Sequence, residues 1–212
     1  MAGNWVYIDH VSAQGTFLES WVVDKSNPPG VVVAIAVGPN GTPYYLHQSG
    51  TCLQLYKLEP DGRTPQVAGG DCSIHVASGD GGPAIAATFN ATNAAPRTWP
   101  AHMAAGADGS IYIANQSECT VRRIWTNGII STFAGSTCPN AGQQHTGDGG
   151  LATSARMIPT AMVIGPDDTL YIADYDYWEL PCGSAAYQIP GCYGWGSGTW
   201  TQQLSRVRAI AE

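Results

Sequence analysis

Two acids attract a chemical reading because their setting repeats: Asp80 in GDGGPAIAATF and Asp148 in GDGGLATSARM. A short carboxylate among glycines can accept nearby backbone N–H groups while the glycines take up positive φ, or it can join loop carbonyls around calcium. One carboxylate per loop is few for that ion. Asp80 and Asp148 are therefore expected to fix a chain connection, with calcium as the alternative and no other cofactor. Asp167 and Asp174 read as turn and strand-end residues. His10, His47, His75 and His145 are scattered without a shared spacing, and His102 alone lies inside an apolar strand-like run. A single imidazole makes no metal site. GxSxG, HExxH and P-loop patterns are absent, and GDGG is not followed by Lys-Ser or Lys-Thr. Ser131 and Ser205 read as ordinary strand residues. The expectation is a protein without a catalytic constellation.

The six cysteines are the other reactive set. Cys52 and Cys72 flank the Asp61-Gly62 turn symmetrically, and Cys119 and Cys138 flank Asn127-Gly128 in nearly the same way. Residues placed symmetrically about a hairpin turn lie opposite one another, within disulfide reach. The predicted pairs are Cys52 with Cys72 and Cys119 with Cys138, leaving Cys182 with Cys192. On a chain-entropy argument each long loop so closed gains roughly 3 kcal/mol. Zinc fits poorly, since the close CxxC spacing is missing. Three sequons agree with an extracellular or cell-surface location: Asn40, Asn90 and Asn115. Asn90, in a loop insertion, is expected to be exposed and the best acceptor. Asn115 ends a strand and is more crowded, and Asn40 is disfavoured by Pro43. An exported chain would begin here after its signal.

These residues are positioned by a repeated β-meander. The segment from Gly106 to Cys138 is stated earlier from Gly38 to Cys72 and begins again at Gly165, resuming after an insertion as LSRVRAI from Leu204. The opening glycines recur at intervals of 68 and 59 residues, the difference falling between Phe89 and Pro100. Each unit reads as four strands: an apolar first, a YIA-type second, a third such as VRRI and a fourth such as ISTFAG. Val31 to Val37 is an unbroken apolar run, expected to be buried on both faces. Composition agrees with an all-β chain rich in turns: 44% hydrophobic, 26 Gly, 14 Pro and only 12% charged. A net charge of -7 supplies no basic field for nucleic acid, and no apolar run is long enough to span a bilayer as a helix.

The run GDGGPAxxAxF, GADGSIYIAN, VRRI, GIISTFAG, then again GDGG and GPDDTLYIAD, resembles NHL-repeat β-propellers, including those in the extracellular part of teneurins. The resemblance covers roughly Gly30 to Arg208. It implies blades of four antiparallel strands, about three here, so that the ring is incomplete within this chain. The division is 1–29 as N-terminal strands, a candidate part of another blade, with 30–89 as blade 1 and 90–155 as blade 2, each with its GDGG loop. Blade 3, 156–212, stops before a fourth strand and is split by an insertion at 175–203. The family spans adhesion modules, sensors and scaffolds, with distant lyase, lactonase and synthase relatives. Amidating lyases of similar fold hold a metal through histidines on successive inner strands. Here His102 is matched by Ala34 and Ala161, so it reads as a structural or channel-lining residue.

The insertion concentrates Tyr175, Tyr177, Trp178, Tyr187, Tyr193, Trp195 and Trp200 among Gly, Ser and Pro, with Cys182 and Cys192 closing a small loop. Such aromatics serve as a private mini-core, a protein contact surface or a sugar-stacking platform. The expected function is a secreted, non-catalytic structural or interaction protein binding other chains. Self-association would run through the strands between Trp5 and Val23 and the open third blade, head to tail into a ring or filament. The alternatives are a propeller lyase or hydrolase with a channel site, or part of a larger extracellular receptor or adhesion protein.

Overall fold

The structure, a computed structural model, describes residues 6–24, 30–70, 72–73, 76–90, 101–139, 146–181 and 199–210. Strands β1 (Val6–Val11) and β2 (Phe17–Asp24) form a hairpin with Ile8 opposite Trp21. Blade 1 is the sheet β3 (Val31–Val37), β4 (Pro43–Ser49), β5 (Cys52–Lys57) and β6 (Gln66–Ala68), in sequence order. Blade 2 repeats it as β7 (His102–Ala105), β8 (Ile111–Asn115), β9 (Thr120–Ile124) and β10 (Ile130–Ala134). Blade 3 has β11 (Pro159–Ile164), β12 (Leu170–Pro181) and β13 (Thr199–Ile210).

The first two strands of each blade join through a turn whose fourth residue is left-handed: Gly41 at φ 75°, Gly109 at φ 89° and Asp168 at φ 59°. Two of the three therefore carry the residue without a Cβ penalty. In each turn the opening glycine packs under a tyrosine, since a Cβ on Gly38, Gly106 or Gly165 would meet the ring of Tyr44, Tyr112 or Tyr171. The Asp61-Gly62 and Asn127-Gly128 turns close β5 to β6 and β9 to β10 in the same spirit. Gly62 (φ 82°) and Gly128 (φ 80°) bond back to the carbonyls of Glu59 and Trp125.

Sheets stack face to face, and every core lies between two of them. Leu46, Leu53, Leu55 and Ala68 of blade 1, with Phe89 of the loop that follows its strands, pack against Met103, Ile113 and Ile130 of blade 2. Tyr112, Ala114, Val121 and Ala134 of blade 2 then pack against Met157, Leu170 and Ile172. The other face of blade 1, with Tyr45, Tyr56 and Leu58, is covered by Ile8 and Trp21 of the hairpin. The order is thus hairpin, blade 1, blade 2, blade 3.

The hairpin is a two-stranded layer seated on blade 1; Trp5 lies outside the described residues. Two expectations change. The run Val31–Val37 is not buried on both faces: Val31, Ile35 and Val37 are 61%, 50% and 59% exposed, because the two-stranded hairpin is too narrow to cover the first strand. The insertion's flanks are not loop. β12 and β13 run on as a ribbon, with Tyr175 opposite Ser205, Trp178 opposite Gln202 and Trp200 opposite Leu180. Tyr177 also sits on this ribbon, whereas Cys182, Tyr187, Cys192, Tyr193 and Trp195 lie outside the described residues.

Candidate functional site

The repeated acids meet at the blade junctions. In the loop before blade 2, Gly79 (φ 92°) and Gly81 (φ 80°) turn the chain around Asp80. No side chain fits at Gly79, whose Cβ would stand 2.8 Å from the Ala87 backbone. Asp80 then reaches into the next blade. Its Oδ1 accepts from Arg122 Nε at 2.9 Å and Nη2 at 2.6 Å, and its Oδ2 accepts from Thr132 N at 2.9 Å and from the Thr132 hydroxyl. Arg122 is buried on β9 and donates its remaining bonds to the carbonyls of Thr88 and Ser78, both at 2.9 Å. The Gly81 amide donates to the Ile130 carbonyl and the Ala84 amide to that of Gly128, so the backbone joins the same junction.

The second junction repeats the arrangement. Arg208, which shares the register position of Arg122, donates from Nη1 to Asp148 at 3.0 Å and to the carbonyl of Thr146. Its Nη2 donates to the carbonyl of Arg156, and its Nε to the fully buried Asp174 at 2.7 Å. Asp174 in turn accepts the Ile158 amide at 2.8 Å. The expectation that nearby amides would satisfy the GDGG acids is therefore corrected: the main partner is an arginine in the following blade. Both oxygens of Asp80 are filled by donors, an arrangement that competes directly with calcium. Among the described residues no cluster of His, Cys, Asp and Glu has metal-binding geometry.

Sequence reading passed over both arginines, although the signal was present. An Arg recurs at one register position of the third strand, once after each GDGG loop. Blade 1 has Tyr56 there instead, stacked on Tyr45 at 5.4 Å beneath the hairpin.

Burial works to raise the Asp80 carboxyl, but the bonds from Thr132 and Arg122 outweigh it and hold the group below its ordinary value. Asp108 behaves alike: burial is outweighed by Ser110 and then by Arg123, whose guanidinium lies 2.9 Å from Asp108 and 3.6 Å over the Trp125 ring. Glu118 goes the other way. Burial pushes it up to about 7 against the opposing amide of Asn90 and charge of Arg122, and its Oε2 has no hydrogen-bond partner among the described residues.

The other sequence candidates are dispersed. Cys52 joins Cys72 and Cys119 joins Cys138, with Cα separations of 4.9 and 5.0 Å, the pairing that the turn symmetry predicts. His102 is half-buried on β7, and desolvation lowers its pKa. The sequons rank differently from expectation. Asn90 is half-buried, its backbone gripped by Glu118 and by Asn115 Nδ2. Asn115 is 1% exposed and uses that same nitrogen in the bond, so it is corrected as a glycan acceptor. Asn40 is exposed on its turn. A groove of about 500 Å³ between β1 and β3 is lined mainly by Val6, Tyr7, Val31 and Ile35. Its one acid is Asp9, which accepts from Ser20.

No protein-family model matches this chain. Over 77 residues it is 40% identical to Teneurin-1 of Mus musculus and 42% identical to Teneurin-1 of Gallus gallus. Those matches cover 31% of this chain and 3% of each teneurin. A protein of unknown function from Bacteroides thetaiotaomicron superposes with a TM-score of 0.52 at 18% identity, covering 79% of this chain and 42% of that one. Virginiamycin B lyase of Staphylococcus aureus superposes with a TM-score of 0.42 at 15% identity, over 78% of this chain and 41% of the lyase. The fold is that of a β-propeller, present here as an incomplete ring of antiparallel blades.

Proposed function

We propose that this chain is an extracellular, NHL-like interaction module without catalysis, whose acids hold blades together and whose exposed surfaces bind other protein chains. The observation that carries the reading is the repeated junction: Asp80 with Arg122 and Asp148 with Arg208 occupy the same register, and each arginine also binds carbonyls of the preceding loop. A charge held in place by an interblade partner stabilises assembly and is not free to act on a substrate. The two disulfides and the short teneurin likeness support the extracellular part. That likeness also favours a second reading, in which the blades serve within a larger receptor or adhesion protein.

Material secreted from a eukaryotic host tests this proposal by thermal melting with and without calcium, and by turnover assays on lactone and cyclic-peptide ester panels. No calcium-dependent rise in Tm and no turnover are expected. A calcium shift abolished by Asp80→Asn, or a turnover abolished by His102→Ala, would overturn it.

A further inference from the structure

The turns between the first and second strands share a side-chain pattern, and blade 1 departs from it at the acid. In blade 2, Asp108 Oδ1 accepts the Ser110 amide at 2.8 Å and Oδ2 accepts the Ser110 hydroxyl at 2.7 Å. In blade 3, Asp167 meets Thr169 in the same two ways, at 3.3 and 2.9 Å. Blade 1 keeps the hydroxyl, as Thr42, but has Asn40 in the place of the acid, followed by Gly41. Asn40 is exposed, and among the described residues neither its side chain nor the Thr42 hydroxyl makes a hydrogen bond. An amide has one acceptor oxygen, whereas a carboxylate offers an oxygen to each of the two donors.

The sequence has one other Asn-Gly pair, Asn127-Gly128, and the fold treats the two differently. Both glycine amides donate back across their turns, Gly41 to the Gly38 carbonyl at 3.0 Å and Gly128 to that of Trp125 at 2.8 Å. Asn127 is held further. Its Oδ1 accepts the Ile129 amide at 3.0 Å, and the Gly128 carbonyl accepts the Ala84 amide at 2.8 Å, which ties this turn to the blade junction.

We propose that Asn40 is a site of spontaneous deamidation, and that its aspartyl product takes up the turn made by Asp108 and Asp167. The Gly41 nitrogen, giving its proton to water, attacks Asn40 Cγ; the new C–N bond closes a five-membered imide and ammonia leaves. Water then opens the ring: cleavage between Cγ and nitrogen gives aspartate, and cleavage at the backbone carbonyl gives isoaspartate. Glycine suits the attack because no side chain crowds its nitrogen. Nothing lies within 4 Å of where a Cβ on Gly41 would stand, so the imide has room. An aspartate at position 40 then has the Thr42 amide and hydroxyl as its two donors, as Asp108 has those of Ser110. The inference needs no partner chain and is independent of the interaction reading above.

Peptide mapping with isoaspartate detection tests this on the full chain, produced in a bacterial periplasm so that Asn40 carries no glycan, and incubated at pH 8 folded or in urea. Normalised to the rates in urea, where only local sequence acts, Asn40 should convert about tenfold faster than Asn127 in the fold, the factor that two further net hydrogen bonds make in opening a turn. Asn40→Asp should raise the Tm, and the rise should be smaller in a Thr42→Val background. Normalised conversion at Asn127 as fast as at Asn40, or no conversion of Asn40 in the fold, would overturn the site. A Tm unchanged or lowered by Asn40→Asp, or an equal rise without the Thr42 hydroxyl, would overturn the turn assigned to the product.

Discussion

Asp80 and Glu118 lie close to the same arginine yet respond to pH in opposite directions. Asp80 is held below its ordinary value in the fold, so its stabilisation is complete above the unfolded carboxylate range and is lost as pH falls through the folded pKa. Glu118 is raised from 4.5 to about 7, so the fold prefers it protonated. Its contribution is greatest below the unfolded pKa, declines as pH rises through this interval and is constant beyond it. Glu118→Gln keeps a carbonyl to accept the Asn90 amide and removes the charge. We expect a higher Tm at pH 8, little change at pH 5 and a flatter profile between, measured by calorimetry. A lower Tm at pH 8 would show that the carboxylate is needed ionised. Neither the depression nor the elevation could be read in the sequence, because both depend on contacts across a junction: Asp80 and Thr132 are 52 residues apart.

The turns and strands were the most legible level. Alternation and the Asp-Gly and Asn-Gly pairs place the meander and its disulfides, since local sterics dictate both. What periodicity cannot supply is which layer covers a strand. Val31–Val37 reads as doubly buried because every residue is apolar, yet exposure is set by the breadth of the neighbouring hairpin. Likewise, Gly, Pro and Ser make residues 175–203 resemble loop, whereas strand pairing carries through much of their flanks. One turn departs from the repeat: Asp168 holds the left-handed position that Gly41 and Gly109 occupy elsewhere. Asp168→Gly should stabilise the protein by about 0.5 kcal/mol, the steric relief being partly offset by loss of the 3.4 Å bond from the Ala107 amide. Urea unfolding measures this directly, and a destabilisation would mean that the bond outweighs the backbone cost.

Across the whole molecule, the junctions differ in completeness. Asp80 is met by both the third and the fourth strand of the next blade, while Asp148 is 73% exposed and, among the described residues, is met by the third. Asp80→Ala should therefore cost about 2 kcal/mol and Asp148→Ala less than about 1 kcal/mol by urea titration. Equal costs would mean that the fourth-strand contact contributes nothing. The sequence revealed the repeated acids but not their partners, because the adjacent arginines of VRRI are both buried yet reach different acids, Arg122 meeting Asp80 and Arg123 meeting Asp108.

The most direct test of the central claim, that the GDGG acids are interblade staples, is a double-mutant cycle of Asp80→Ala with Arg122→Met, read by urea unfolding. The predicted coupling is about 1.5 to 3 kcal/mol, because either substitution alone already breaks the pair. Additive losses, with a coupling indistinguishable from zero, would contradict it.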